Sequence, residues 1–210
     1  MRTPEQQHSL LETLATVLIT VATVATAWCA FQSNIWSGVQ EFELHNASGI
    51  SRQAAFYRME ANQQASMDVQ LFSEYVDATI LGHDSVASFY LHRMPPRLRV
   101  AMHAWLAKDP FKDTNAPLHP FAMKEYARHD LMLADSLDRV YDASMIQAND
   151  SNGNSDNYVL LTVLFASVMF FGGICSNIKS LATKRAIVLV STVLLLGAVG
   201  WMLTFPISFS

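Results

Sequence analysis

Three apolar runs punctuate the chain, at Leu10–Phe31, Tyr158–Cys175 and Ala186–Phe205. Each holds roughly twenty residues, about what a helix needs to cross a hydrocarbon core of about 30 Å. About 125 polar residues with helical periodicity lie between the first run and the second. The pattern predicts an all-α membrane protein with three transmembrane helices. A long antiparallel helical hairpin with a small helical cap stands outside the membrane. The implied divisions are 1–35 (tail and first transmembrane helix), 36–156 (extracytoplasmic domain), 157–205 (transmembrane hairpin) and 206–210 (tail).

Run one has two faces. Leu10, Leu14, Val17, Val21, Val24, Trp28, Phe31 and Ile35 form a bulky row at three- and four-residue steps. Thr13, Thr16, Thr20, Thr23, Ala27, Ala30, Asn34 and Ser37 form a small or polar row at the same steps. Such a row lets helices approach closely and hydrogen-bond across the contact. Trp28 and Trp36 stand where indoles anchor a helix at the membrane interface.

Beyond run one no proline interrupts Gln32 to Ile80, and Ile50, Ala54, Tyr57, Ala61, Ala65, Phe72 and Val76 recur at helical steps, with a gap after Ala65. One helix leaving the membrane would reach roughly 70 Å at 1.5 Å per residue, with Gly49 as the point for a bend. Gly82 ends it. Asp84 or Ser85 caps a short helix through Val86, Phe89 and Tyr90, and Pro95-Pro96 starts another carrying Leu98, Val100, Ala101, Trp105 and Leu106. Lys108–Pro120, with three prolines, reads as an ordered loop. A last helix spans about Phe121–Asp150. The Asn-, Ser- and Gly-rich stretch Asn149–Asn157 breaks or frays before run two. Two lone helices bury little, so their small Ala, Ser and Gln faces imply coiled-coil pairing with other copies and a homo-oligomer.

Charge sets the orientation. Lys179, Lys184 and Arg185 crowd the short loop between the last two runs, with no acid among them. Short basic loops stay cytoplasmic. The N-terminus is therefore cytoplasmic, and the middle segment and C-terminus are periplasmic. Residues 32–157 carry ten Lys or Arg against sixteen Asp or Glu, a net −6. That argues against nucleic acid or an anionic lipid surface as partner of this segment, and leaves membrane lipid around the apolar runs and a protein partner. Cys29 and Cys175 both fall in membrane runs, so no disulfide framework braces the outer domain. Trp28 before Cys29 does not suit a lipoprotein cleavage site, and run one reads as an uncleaved anchor.

Little in the chain points to catalysis. His45, His83, His92, His103, His119 and His129 make no i, i+4 pair, so no metal site or cofactor is expected. The row Asp135, Asp138, Asp142 reads as a solvated helix face. No nucleophile elbow, phosphate-cradling loop or zinc-protease helix is present, and an enzyme is not expected. Glu12 is the one carboxylate at the edge of run one. With Thr13, Thr16, Thr20, Thr23, Ala27 and Asn34 it forms a stripe that either packs helices or lines a pore.

Several stretches resemble a family of uncharacterised bacterial inner-membrane proteins with three transmembrane helices and a helical periplasmic domain. They are Leu71-Phe72 onward to Ala104-Trp105-Leu106 and Asp109-Pro110, Ala116-Pro-Leu-His-Pro-Phe-Ala-Met-Lys-Glu-Tyr126, Ser155-Asp-Asn-Tyr-Val-Leu160, and Ala27-Trp28 before Trp36-Ser37-Gly38. The resemblance implies architecture and inner-membrane localisation, and no activity. The function expected is an oligomeric inner-membrane protein whose periplasmic helical domain engages a partner, through the cap at residues 82–120, or senses a condition. The alternative is a homo-oligomeric ion channel with run one lining the pore.

Overall fold

A computed structural model describes residues 4–209. Five α-helices carry most of the chain, and no strand forms among the described residues: α1 (Pro4–Ile80), α2 (Asp84–Arg93), α3 (Pro96–Leu106), α4 (His129–Cys175) and α5 (Leu181–Met202). A 3₁₀ turn at Pro120–Ala122 precedes α4. Gln6–Ile80, His129–Cys175 and Leu181–Met202 are each long and apolar enough to cross a membrane. The chain divides into two compact units. One, the membrane unit, takes residues up to Asn46 and from Ala143 onward; the other, the middle unit, is Ala47–Asp142.

The membrane unit is held by seams that recur at heptad-like spacing. Ala15, Ala22 and Cys29 of α1 are buried seven residues apart. In α5 the buried positions are Lys184, Val188, Ser191, Leu195 and Ala198, alternating four- and three-residue steps. Tyr158, Leu161, Phe165 and Val168 of α4 complete the core with Ala22 and Cys29. A period near 3.5 keeps one stripe of each helix on its neighbours. Gly172 lets α1 approach: a Cβ there would meet Cγ1 of Ile19 at 2.7 Å.

The helix through Asn149–Asn157 is unbroken, contrary to the expectation from its composition. The small polar side chains find helix-compatible partners instead of competing for the backbone. Ser155 Oγ meets the hydroxyls of Ser33 and Ser37 at 3.0 and 2.9 Å, and Asn152 donates to Asp156 at 3.1 Å one turn on. α1 also runs as continuous helix through Gly49. In the other direction, α4 starts at His129 rather than near Phe121, because the chain after the 3₁₀ turn runs extended at Met123.

In the middle unit α1 buries Ala47, Ala54, Ala61, Asp68 and Tyr75, again seven apart. The core joins Tyr75, Ala78, Ala87, Met94, Leu98, Met102 and Trp105, with Phe72, Phe121 and Tyr126 packed against it. Phe72 meets the Trp105 and Phe121 rings edge-on at 5.3 and 5.6 Å, a favoured aromatic geometry. The expected start at Pro95-Pro96 is observed. Asp84 is the first residue of α2 rather than its side-chain cap.

Gly82 closes α1 by two bonds. Its own N–H donates to Thr79 O at 3.2 Å, and His83 N–H donates to Ala78 O at 2.9 Å. This double closure needs a left-handed residue at its centre, and Gly82 has φ +71°. Gly82→Ala meets no steric neighbour, so only backbone strain opposes it. It is expected to lower stability by about 1 kcal/mol, read as a fall in melting temperature without change in helicity.

Candidate functional sites

The membrane unit brings together residues singled out for different reasons. Lys184 Nζ donates to Glu12 Oε1 at 2.6 Å. The Lys184 side chain is 2% exposed and that of Glu12 50%. Arg185 donates to Gln7 Oε1, and Lys179 stays exposed. A cleft of about 280 Å³ lined by Glu12, Thr16, Ile19, Gly172 and Ser176 adjoins the pair. An ammonium ion buried among helices is costly unless a counter-charge meets it, and Glu12 supplies one.

The threonine row is arranged differently. The hydroxyls of Thr13, Thr16, Thr20 and Thr23 donate to the carbonyls of Ser9, Glu12, Thr16 and Ile19 at 2.8–2.9 Å. All four are exposed on this chain, as are Ala27 and Asn34. The contacts within the chain run mainly along the neighbouring stripe through Ala15, Ala22 and Cys29, with Thr23 Oγ1 also meeting Met169 Sδ at 3.2 Å. Each threonine's polar requirement is met by its own helix.

At the other end of this unit the tail after α5 is clasped. Gln32, fully buried, donates through Nε2 to Ser208 O at 2.9 Å and accepts from Ser208 N at 3.1 Å. Its amide thus pairs with the tail as a backbone strand would. Trp36 Nε1 and the Tyr158 hydroxyl both donate to Pro206 O, at 3.2 and 3.1 Å. The Trp28 ring lies beside Phe31 and Phe209, at 5.9 and 6.4 Å.

The middle unit is organised around a carboxylate. Asp68 is fully buried. Arg97 of α3 grips it with two bonds, Nε to Oδ2 at 2.8 Å and Nη2 to Oδ1 at 3.0 Å. Tyr126 donates its hydroxyl to Oδ2 at 2.8 Å. Three segments distant in sequence meet at one side chain. The fork of an arginine matches a carboxylate in two places, which helps offset the cost of burying the charge. Burial, then the bond to Asp68, pushes the Tyr126 phenol up to about 12. One turn back, Gln64 Nε2 donates to Asp130 at 2.8 Å. Arg58 donates to Asp138 and, at 3.2 Å, to Asp135. These aspartates, expected on a solvated face, hold a cation from α1 and push its guanidinium further up from its ordinary range.

Beside this node lies a cleft of about 490 Å³, lined by Phe72, Val76, Trp105, Pro110, Phe111 and Leu118, with Ser73, Asp77 and His119. Trp105 Nε1 donates to Pro117 O at 2.6 Å and fixes the proline-rich loop over it. Nδ1 of His119 is buried without a hydrogen-bond partner. Among the described residues no three His, Cys, Asp or Glu side chains come together as metal ligands.

No family model matches the chain, and no curated protein or solved structure matches it.

Two outcomes follow. Arg97→Ala strands Asp68 in the core and is expected to cost about 3–5 kcal/mol, whereas Tyr126→Phe costs about 1–2, both read from thermal melts. Tyr126 has a folded value above its ordinary 10, so the stability it contributes is complete below pH 10. That stability falls away as pH rises towards about 12, and Tyr126→Phe should remove one late-titrating phenol from the tyrosinate absorbance curve. Second, Glu12→Gln and Lys184→Met should each lower the melting temperature of the membrane unit, Glu12→Gln more. The double variant should recover most of the loss; additive losses would mean the pair is not coupled.

Proposed function

We propose that the protein is an oligomeric bacterial inner-membrane protein whose Ala47–Asp142 unit stands in the periplasm and engages a partner or senses a condition. One contrast supports this reading. In the membrane unit Glu12 is occupied by Lys184, the threonine hydroxyls by their own helix and Gln32 by the tail. In the middle unit an apolar cleft lined by Phe72, Val76, Trp105, Phe111 and Leu118 stays open, and the exposed Asp77 on its lining takes no side-chain partner among the described residues.

In this reading the part of α1 from Ala47 and the start of α4 form an antiparallel pair. Its contacts run oppositely in sequence: Arg58 with Asp138, Gln64 with Asp130, Asp68 with Tyr126. α2, α3 and the proline loop cap it. Lys179, Lys184 and Arg185 near the α4–α5 turn favour a cytoplasmic position for that turn. Exposed Phe56 and Met59 on α1, with Met132 and Val140 on α4, offer apolar surface to further copies. A cation pore along the threonine row is disfavoured, because the row's carboxylate, Glu12, already faces an ammonium.

The test uses two positions. Thr114→Cys, in an exposed loop, should react with a membrane-impermeant maleimide in cells with only the outer membrane opened. Reaction only after the inner membrane is broken would contradict the orientation. A photocrosslinker at Leu118 should capture a discrete product that the same group at exposed Arg99 does not. Equal products at both would contradict an interaction site at the cleft.

A further inference from the structure

A separate cleft, of about 570 Å³, opens on the membrane unit between α1 and α5. α1 lines it with Val21, Val24 and Ala25, and α5 with Val199 and Met202. Its lining is open to an occupant: Val24 is 67% exposed and Val21 45%. The lining begins at Thr20, midway along the apolar run Leu10–Phe31, and ends at Trp28, near the run's boundary. That stretch of helix rises about 12 Å, against about 15 Å for half of a hydrocarbon core. The cleft therefore has the depth of a single leaflet. The two tryptophans at this boundary differ in one respect. Trp36 Nε1 donates to Pro206 O, whereas Nε1 of Trp28 has no hydrogen-bond partner among the described residues and is not sealed in the interior. Phe31 and Phe209 flank the Trp28 ring and hold it in place.

The setting decides what fills it. α1 and α5 are both long and apolar enough to cross a membrane, and within such a span the medium is hydrocarbon rather than water. A helix of a second copy would run the full thickness of about 30 Å and would not stop at mid-depth. An acyl chain tethered at the boundary does stop there. The apolar lining suits its methylenes. Thr20 already donates its hydroxyl to Thr16 O, so the inner end of the cleft asks for no polar partner. At the boundary end the Trp28 N–H requires an acceptor, since an indole sits best with its ring in hydrocarbon and its N–H at the polar edge. The ester carbonyl at the head of an acyl chain supplies one at that depth.

We propose that this cleft is a binding site for one acyl chain of an ester-linked glycerophospholipid. The chain lies along Val21, Val24 and Val199 with its methyl end near Thr20, and its ester carbonyl accepts from Trp28 Nε1. The lipid bridges α1 and α5 beside Phe209 of the tail. This site lies within the membrane unit and does not rest on the partner reading of the middle unit.

Full-length protein is placed in nanodiscs of diester phosphatidylcholine or of diether phosphatidylcholine with the same chains, which lacks the carbonyls. Both carry a trace of diester phosphatidylcholine bearing a diazirine near the methyl end of one chain. After irradiation, mass spectrometry maps the adducts, and those on Val163 and Phe170, exposed on α4, serve as the reference for unselective lipid contact. Adducts in the cleft should centre on Thr20 to Val24. Because diether lipid competes poorly for the indole, the ratio of cleft to reference adducts should be about threefold to tenfold higher in diether discs, the worth of one neutral hydrogen bond. Trp28→Phe should make the ratio equal in the two discs. Val24→Phe, which fills the cleft, should remove its adducts and spare the reference. Equal ratios on the unaltered protein would overturn the proposal, as would a Trp28→Phe variant that keeps the difference. Absence of cleft adducts in diether discs would overturn it too, and a disulfide between copies at Val24→Cys would then assign the cleft to a second copy. The comparison of discs on the unaltered protein stands even where a variant fails to fold.

Discussion

The middle unit depends on a negative charge placed where a hydrophobic side chain would be expected. Asp68 occupies a buried position of the α1 seam, seven residues from Ala61 and seven from Tyr75. An uncompensated carboxylate there would destabilise the fold. Its two oxygens instead take three donors, two from Arg97 and one from Tyr126. Because Arg97 belongs to α3 and Tyr126 to the segment before α4, satisfying one side chain fixes the relation of three segments. The apolar core then packs around that arrangement, with Phe72, Phe121 and Tyr126 ring against ring. A hydrophobic residue at 68 would bury area but would accept any neighbour; a carboxylate accepts only correctly placed donors.

The membrane unit solves the same problem with a different pair. Lys184 on α5 is buried and meets Glu12 on α1. Gln32 serves as a substitute strand for the tail, and three serines gather at Ser155. In each case a polar group within a low-dielectric environment finds a partner from another segment and so defines which helices are neighbours. Gly172 beneath Ile19 completes the picture, since close helix approach in this unit relies on absent side-chain bulk.

Much of this was legible in the chain, and the exceptions are informative. The three apolar runs, the turn at Gly82 and the helix start at Pro96 follow from hydropathy and backbone chemistry alone. The gap after Ala65 in the α1 pattern is the position of Asp68. A carboxylate in a seam reads as an interruption until its donors, 29 and 58 residues away, are known. Asn149–Asn157 reads as a break because Ser, Asn and Gly favour turns in isolation, but tertiary partners for Ser155 override that tendency. Lys184 was visible as a topological charge and Glu12 as a lone carboxylate; only helix packing joins them. The cleft was beyond reach, since Phe72, Trp105, Phe111 and His119 show no common periodicity. Its one signal was the density of aromatic and proline residues around the loop.

Hydrogen exchange measured by mass spectrometry on the unaltered protein and on Asp68→Asn tests the organising role of the carboxylate most directly. The account predicts that the substitution accelerates exchange in α3 and in residues 121–128 while α5 keeps its protection. Unchanged protection in α3 and 121–128 would contradict it.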